Sequence, residues 1–141
     1  MIFTNRYRAH DLGLLVLRVG LGVMFMVHGF PKLAGGPTAW AGVGGVMAQV
    51  GLGFAPAFWG FLAAVAEFGG GLLLAVGLWF RLACLGLLIT MIMATVMHVS
   101  KGDGFSGYSH ALESAFVFLG LLFAGPGRLS FDERLFGSRL R

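Results

Sequence analysis

The sequence predicts an all-α fold, an integral membrane four-helix bundle that forms a single domain over residues 1–141. Hydrophobic residues make up 57% of the chain and charged residues only 11%, whereas soluble domains average about 45–50% apolar and about 25% charged residues. The mean hydropathy is +0.86. In addition, four apolar runs approach or reach the roughly 17–25 residues that a transmembrane helix needs. A lipid bilayer is therefore the expected surrounding of most of the chain.

The first predicted helix spans residues 12–30 and ends at Pro31 and Lys32. Basic residues precede this run and small residues follow it, as in a cleaved signal peptide. The run is nevertheless longer than a signal-peptide core of about 7–15 residues, and it contains Arg18, so we interpret it as a retained helix.

The second and third predicted helices span residues 57–80 and 82–98. Trp59 and Trp79 stand near the two ends of the second helix, as interfacial aromatic residues do. Only the turn at Arg81 separates the two helices, which makes them antiparallel neighbours.

The fourth predicted helix spans residues 109–124 and stops at the Gly-Pro-Gly sequence of residues 125–127. Between the first and second helices, residues 33–56 carry no charge and many glycines. This composition favours only a short element lying in the membrane interface, around residues 38–50.

The C-terminal segment predicts a short helix over residues 131–138. Ser130 is followed three residues later by Glu133, which is a capping-box pattern. The apolar residues then fall on one side of the helix and arginines surround it, so we expect it to lie on the membrane surface. These apolar residues are Phe131, Leu135 and Phe136.

The basic residues predict the orientation of the bundle. Of the 10 lysines and arginines, Lys32 and Lys101 fall on one side, Arg18 lies inside a helix, and the others fall on the opposite side. The positive-inside rule then places both termini in the cytoplasm and the loops 33–56 and 99–108 outside. The residues counted as cytoplasmic are Arg6, Arg8, Arg81, Arg128, Arg134, Arg139 and Arg141.

Small residues predict which helix lies at the centre. Ala66 and Gly70, and then Gly71 and Ala75, are pairs at the four-residue spacing that allows helix backbones to approach closely in lipid. We therefore expect the second helix to be the central one.

Ionisable residues inside the predicted helices are the candidate functional residues. Glu67 lies near the middle of the second helix, and the others lie in the outer third of the membrane. Because the Glu67 side chain leans toward its own N-terminus, it also points outward, and we expect a polar pocket that opens to the outer face. The outer residues are His28, Lys32, His98, His110 and Glu113.

Glu67 is the candidate catalytic residue, and Arg18 and the outer residues are candidate binding residues. A carboxylate at mid-membrane costs about 2.5–3.5 kcal/mol on insertion scales unless it is paired or protonated. Glu67 is therefore either a structural partner of another helix or a group that binds a ligand or moves a proton. Arg18 either extends to the cytoplasmic interface along its apolar stem or pairs with Glu67.

A metal site is conceivable but incomplete in the sequence. His110 and Glu113 are three residues apart, a spacing seen in the reverse order in di-iron bundles, which need a second such motif and further carboxylates. A set of His28, Glu67, His98 and Glu113 is the conceivable alternative. We predict no metal site, with His28 and His98 as interfacial hydrogen-bonding residues and Asp103 as a solvated loop residue.

Several function classes lack support. The single cysteine, Cys84, excludes an internal disulfide or a CxxC site. No nucleophile triad or phosphate-binding loop is evident. The net charge of +4 is not arranged as a basic stripe with interleaved aromatic residues, so we expect no nucleic-acid partner.

The order of several motifs resembles the DoxX family of small bacterial membrane proteins, over about residues 10–137. The motifs are Leu17-Arg18-Val19-Gly20-Leu21-Gly22, His28-Gly29-Phe30-Pro31-Lys32, Glu67-Phe68-Gly69-Gly70-Gly71, Gly77-Leu78 with Arg81, and Gly125-Pro126-Gly127-Arg128-Leu129-Ser130-Phe131-Asp132. The resemblance implies a four-helix protein that crosses the bacterial inner membrane several times and is associated with respiratory or detoxifying redox systems.

Members of this family include the membrane subunit of thiosulfate:quinone oxidoreductase and a mycobacterial protein that assembles with a sulfurtransferase and a superoxide dismutase. The resemblance implies that five positions tend to be polar in the family, without a catalytic assignment for any of them, whereas His98 and His110 are features of this sequence alone. The five positions are Arg18, His28, Lys32, Glu67 and Glu113.

Three hypotheses follow, and whether the chain is an enzyme stays open among them. The first is a membrane subunit of an oxidoreductase assembly with a quinone bound beside Glu67 and a histidine, and with the electron donor on a partner subunit. The second is a non-catalytic membrane anchor or assembly subunit, in a complex with other proteins or as a homo-oligomer. The third is a small-solute transporter, although no inverted repeat is visible.

Overall fold

A computed structural model describes residues 6–137, with side chains from residue 9 onward. The elements in chain order are α1 (Arg6–Ala34), α2 (Gly36–Gly44), a 3-10 helix (Gly45–Val50), α3 (Pro56–Val76), α4 (Phe80–Lys101), α5 (Gly104–Ala124) and α6 (Phe131–Phe136). Within the described range there is no strand, and four helices, α1, α3, α4 and α5, are long and apolar enough to span a membrane. The predicted all-α fold is confirmed. Residue 138, where we expected the tail helix to end, lies outside the described residues. Arg139 and Arg141 lie outside them as well.

Several helix ends differ from the sequence prediction: α1 begins at Arg6 and α4 ends at Lys101, and the ends of α1 and α3 differ for clear local reasons. α1 continues through Pro31 to Ala34, because a proline near the end of a helix removes only one backbone hydrogen bond. α3 ends at Val76 and not at residue 80. Gly77 takes a φ of +71°, its N–H donates to Leu74 O at 3.2 Å, and the N–H of Leu78 donates to Leu73 O at 3.0 Å. This is a Schellman motif, which closes the helix one turn early.

The expected outer loop at residues 99–108 is wrong. Only Gly102 and Asp103 connect α4 to α5, and α5 begins at Gly104. Gly102 ends α4 with a φ of +74°. The residues after Gly104 are glycine- and serine-rich, but their packing against α4 outweighs their weak helix propensity. As a result His110 and Glu113 lie in the second and third turns of α5, deeper than the first turn that we expected.

The segment between α1 and α3 is helical and packs on the bundle. Glycines make this possible, since a Cβ on Gly60 would overlap the carbonyl oxygen of Trp40, and a Cβ on Gly44 would overlap that of Pro56. The backbones of α2 and α3 are therefore in direct contact. In place of one short element at residues 38–50, the structure has α2 followed by the 3-10 helix, both against the first half of α3.

α3 is the central helix, as its small residues predict. It packs against α1, α2 and α4, while α5 packs mainly on α4. A Cβ added to Gly71 would lie 2.7 Å from the Gly22 carbonyl oxygen on α1, and one on Gly70 would lie 3.2 Å from Leu87 Cγ on α4. The buried core continues between α4 and α5, where Cys84 and Phe118 are both fully buried.

The two ends of the bundle carry different features. One end, here called the α2 end, contains α2, the last turn of α1 and the α4–α5 turn. The other, the α6 end, contains the α3–α4 turn, the segment that follows α5, and α6. Polar side chains gather inside the bundle near both ends, and these two groups are the candidates for a functional site.

Candidate functional site

The first polar group is an ion pair between Glu67 and Lys32. Glu67 is the twelfth of the 21 residues of α3 and is only 2% exposed. Lys32, in the last turns of α1, donates to both carboxylate oxygens, with Nζ–Oε distances of 2.6 and 2.7 Å. The Lys32 side chain is 38% exposed. The buried carboxylate therefore has a cationic partner that keeps contact with the exterior of the bundle.

Local sequence explains why α1 and α3 meet at this depth. A Cβ on Gly29 would lie 2.5 Å from the backbone nitrogen of Phe68 and 3.0 Å from Glu67 Cβ. Gly29, one turn before Lys32, thus lets the α1 backbone touch α3 beside the carboxylate. The indole N–H of Trp40 donates to the Lys32 carbonyl oxygen at 2.9 Å, so α2 also holds the end of α1 in place.

A cavity of about 450 Å³ lies beside the ion pair. α2, the 3-10 helix, α3 and α4 form its walls, and Lys32 and Glu67 both contribute to its lining. The rest of the lining is almost entirely apolar and includes Val46, Met47, Leu62, Ala63, Ile89 and Met93.

Besides the ion pair, the cavity lining contains two polar side chains. Thr90 uses its hydroxyl internally, donating to the Gly86 carbonyl oxygen at 2.9 Å. The indole nitrogen of Trp59 is buried and has no hydrogen-bond partner. A buried polar group without a partner is unusual and calls for a physical explanation. A residue of the cavity wall therefore carries an unused hydrogen-bond donor.

The mouth of the cavity lies between α3 and α4. Two of its lining residues, Leu62 and Ile89, are also 41% and 54% exposed. Small residues line the cavity between these helices, where a Cβ added at Gly86 would be in ordinary contact with Ala66 Cβ at 3.8 Å. α3 and α4 are both candidate membrane spans, so a bilayer would surround this side of the bundle.

The other predicted outer residues do not line this cavity. His28 on α1 and His110 on α5 have ring centroids 6.3 Å apart, and both are exposed on the side of the bundle where α1 meets α5. Glu113 is exposed one helical turn further along α5. The expected single polar pocket thus contains only Glu67 and Lys32 of the predicted set.

His98 forms a separate contact at the α4–α5 turn. Its Nδ1 lies 2.7 Å from Asp103 Oδ2, so the expectation that Asp103 is merely solvated is wrong. Within residues 6–137, no group of three or more histidine, cysteine, aspartate or glutamate side chains could hold a metal ion. The conceivable set of His28, Glu67, His98 and Glu113 is not assembled.

Arg18 forms the second polar group, at the α6 end. It is 2% exposed, and its guanidinium donates to the carbonyl oxygen of Pro126 at 3.1 Å and to that of Leu129. Arg18 therefore does not pair with Glu67; it extends toward the α6 end, as the other interpretation expects, but its guanidinium is buried there. It donates hydrogen bonds to backbone carbonyls of the segment after α5. This segment is not helical, so its carbonyls have no intrahelical partners.

Gly77 and Asp132 complete this arrangement. A Cβ on Gly77 would overlap the Arg18 guanidinium, so only glycine fits at the end of α3. The Asp132 carboxylate accepts hydrogen bonds from the N–H groups of Trp79 and Phe80 at 2.8 and 2.9 Å, which caps the first turn of α4. The N–H of Asp132 donates in turn to Gly77 O at 2.9 Å.

The Ser130 half of the predicted capping box is confirmed, since Ser130 Oγ accepts from the N–H of Glu133 at 3.2 Å. The role of Asp132 was missed by sequence reasoning. Its only local signal is its place in the first turn of α6, whereas the groups it binds lie 52 and 53 residues earlier. At the α6 end, hydrogen bonds therefore connect α1 to the segment after α5 and connect the α3–α4 turn to α6.

Comparisons with known proteins agree with this architecture. The family model described as DoxX matches residues 13–99. The chain is similar to the inner membrane protein YqjF of Escherichia coli (strain K12), with 30% identity over 131 residues that cover 91% of this chain and 95% of the relative. It is also similar to an uncharacterized protein of Haemophilus influenzae (strain ATCC 51907 / DSM 11121 / KW20 / Rd), with 31% identity over 138 residues, 94% of this chain and 96% of the relative. No solved structure matches significantly. The family match includes Arg18, Lys32 and Glu67 and ends before α5.

Proposed function

The chain belongs to the DoxX family and is a multi-pass membrane protein, and on that premise we propose that it is the membrane subunit of an oxidoreductase assembly whose cavity beside Lys32 and Glu67 binds a quinone. One observation carries the proposal: an apolar cavity between candidate membrane spans is lined by an ion pair and by a tryptophan whose donor has no partner. Since a relative is named an inner membrane protein, we also propose the bacterial inner membrane as its location.

The residues around the cavity suit a quinone. A quinone has an apolar ring with two carbonyl oxygens, which accept hydrogen bonds, and usually an apolar tail. Two lining groups have donors to offer: the Trp59 indole N–H has no partner, and the Lys32 ammonium has three N–H groups, of which the Glu67 oxygens use two. The volume of about 450 Å³ is also within the usual range of about 300–1,000 Å³ for small-molecule sites.

Lys32 and Glu67 are in place to supply protons. A bound quinone would accept two electrons and two protons on becoming the quinol. The Lys32 ammonium holds a proton next to the cavity, and the Glu67 carboxylate 2.6 Å away can receive one or pass one on. Lys32 is partly exposed, so protons exchange with the exterior through it. The electrons would come from a partner subunit.

The position of the cavity mouth indicates how the ligand would enter. The opening between α3 and α4 faces hydrocarbon, so a lipid-soluble molecule reaches it by lateral diffusion in the membrane. The positive-inside rule would put the cavity in the outer half of the bilayer, since the α2 end carries two basic residues and the α6 end carries more. Lys32 and Lys101 lie at the α2 end, and Arg6, Arg8, Arg81, Arg128 and Arg134 at the α6 end.

Binding of decylubiquinone to the full-length protein in lipid nanodiscs tests the proposal, with empty nanodiscs to correct for partition into lipid. We expect saturable binding that Trp59→Phe weakens about tenfold, because the variant keeps the ring but loses one donor worth about 1–1.5 kcal/mol. Trp79→Phe, at the opposite end of the bundle, is the matched control and should bind like the wild type. Binding no greater than that of empty nanodiscs refutes the proposal.

A second candidate function is a membrane anchor without chemistry of its own. It is favoured by the ion pair itself, because Lys32 already satisfies both Glu67 oxygens and leaves the carboxylate no need of a ligand. Glu67→Gln separates the two functions in the assembled complex. If the chain is only an anchor, the variant lowers recovery of the complex but not turnover per complex; if it binds quinone, turnover itself falls.

A further inference from the structure

Glu113 is an unpaired acid exposed at mid-membrane. It is the tenth of the 21 residues of α5, about 14 Å from the start of the helix at about 1.5 Å per residue. Its side chain is exposed, and none of the hydrogen bonds or ion pairs among residues 6–137 involves it. Carboxylates at this depth almost always face a bundle interior or a polar partner. Residues 6–137 of a single copy offer Glu113 neither.

Hydrogen-bond donors accompany Glu113 on the same side of the molecule. His110 precedes it by three residues and so shares its face of α5. The ring of His28, from α1, lies 6.3 Å from that of His110, and both histidines are exposed. This surface, the α1–α5 face, therefore combines one acceptor with two imidazoles at nearly the same depth.

Gly120 makes close approach to this face possible. It follows Glu113 by seven residues, which places it two turns along the same side of α5. It is exposed, and a Cβ added there would have no atom within 4 Å. Most glycines inside the bundle accommodate a neighbouring helix, as Gly22, Gly29 and Gly71 do. Gly120 has no such neighbour within the described chain.

We propose that the α1–α5 face, defined by His28, His110, Glu113 and Gly120, binds a second copy of this chain across a two-fold axis parallel to the membrane normal. In the dimer each Glu113 carboxylate accepts a hydrogen bond from an imidazole N–H of the other subunit. The proposal is independent of quinone binding, because the cavity lies on the opposite side of the bundle between α3 and α4.

The symmetry places the groups within reach. A two-fold axis along the membrane normal keeps both copies at the same depth, so His110 of one subunit lies about 4.5 Å nearer the α2 end than Glu113 of the other. The Glu113 side chain leans toward the N-terminus of α5, which is the same direction. Packed helices have axes about 8–10 Å apart, and a small residue such as Gly120 favours the closer value.

Self-complementarity favours a second copy over a different protein. The α1–α5 face carries both the acceptor and the donors, so two identical faces satisfy each other without a third component. Two-fold dimers are also the commonest homo-oligomers, and their interfaces use the same patch on both subunits. A different partner would have to supply its own donor for Glu113 and leave the two histidines without a role.

Cysteine cross-linking in native membranes tests the interface directly. In a Cys84→Ala background, Gly120→Cys should give a disulfide-linked dimer on mild oxidation, since the two positions face each other across the axis. Ile89→Cys, exposed at the cavity mouth on the other side, is the matched control and should give at least five times less dimer. Equal yields overturn the proposal, and so does cross-linking of Gly120→Cys only to a different protein.

Dilution of fluorescently labelled protein in liposomes tests the role of Glu113. We expect energy transfer between wild-type copies that falls with dilution, and Glu113→Leu should lower the association constant about tenfold because two symmetry-related hydrogen bonds are lost. Glu113→Gln, which still accepts a hydrogen bond, should lie between the two. A wild type that is monomeric at every dilution, or a Glu113→Leu variant that associates as tightly as the wild type, overturns the proposal. Within residues 6–137 Glu113 makes no hydrogen bond or ion pair, so folding of the variants should be little affected.

Discussion

Replacing Lys32 by methionine should destabilise the protein strongly while keeping the length and most of the volume of the side chain. The change removes the cation that donates to both oxygens of Glu67, and the carboxylate is only 2% exposed. It would then be a charge inside an apolar bundle without a partner. The cavity beside it offers no second cation, because the lining apart from Lys32 and Glu67 is almost entirely apolar.

The size of the effect follows from the exposure of the two partners. Removing one member of a fully buried ion pair typically costs about 3–5 kcal/mol. Lys32 is 38% exposed, so water can replace part of its interaction, and we expect a loss of about 2–4 kcal/mol in the free energy of unfolding. Glu67→Gln leaves the charge on Lys32, which can turn outward, so its cost should be smaller, about 1–2 kcal/mol.

A double-mutant cycle gives the sharpest measurement. The free energy of unfolding is obtained for the wild type, Lys32→Met, Glu67→Gln and the double variant by titrating mixed micelles with dodecyl sulfate and following helicity. Once Glu67 is neutral, loss of Lys32 should cost little, so the double variant should be close to Glu67→Gln alone. A coupling energy of at least about 1.5 kcal/mol is expected. If the loss of unfolding free energy in the double variant equals the sum of the two single losses, the view that this ion pair stabilises the bundle is refuted.

Three further predictions concern the α6 end and use the same assay of the free energy of unfolding. Gly77→Ala should lower this free energy by at least about 2 kcal/mol, because the positive φ and the Arg18 guanidinium both exclude a Cβ. The control is Gly69→Ala, at a helical position with no atom within 4 Å of an added Cβ, which should leave the free energy unchanged or raise it by up to about 1 kcal/mol. Asp132→Asn should cost about 1–2 kcal/mol and speed amide exchange in the first turn of α4, and unchanged exchange there would contradict its capping role. Arg18→Met should lower the free energy of unfolding by about 2–4 kcal/mol, because it leaves two carbonyls unsatisfied. Proteases should also cleave the segment after α5 faster in this variant than in the wild type, and equal cleavage rates would contradict the role of Arg18.

The membrane spans were predictable from hydropathy because each is a local property of the chain. Composition alone located α1, α3, α4 and α5. Their ends were less predictable, since they depend on single backbone conformations. Gly77 ends α3 by adopting a positive φ, yet Gly69, Gly70 and Gly71 continue the helix only a few residues earlier. Nothing local distinguishes the one glycine from the other three.

The candidate site was partly predictable. A carboxylate at mid-membrane requires a partner, so Glu67 stood out from position alone. Which cation it binds depends on how α1 packs on α3, and that packing rests on backbone contacts at Gly22 and Gly29. Arg18 shows the same limit more clearly. It binds carbonyl oxygens of Pro126 and Leu129, and because every residue has a carbonyl, side-chain identity gives no indication of such an acceptor.

The contact between Arg18 and the segment after α5 also has a consequence for biosynthesis. The two acceptors are 108 and 111 residues downstream of the arginine, which corresponds to about 5–20 s of translation at about 5–20 residues per second. During that interval the guanidinium of α1 is without the two acceptors that it has in the folded bundle. We expect α1 to remain nearer the headgroups at its own N-terminal side and to reach its final depth only when the last helix has been inserted. Assembly of this bundle is thus completed by the end of the chain and not by its first hairpin.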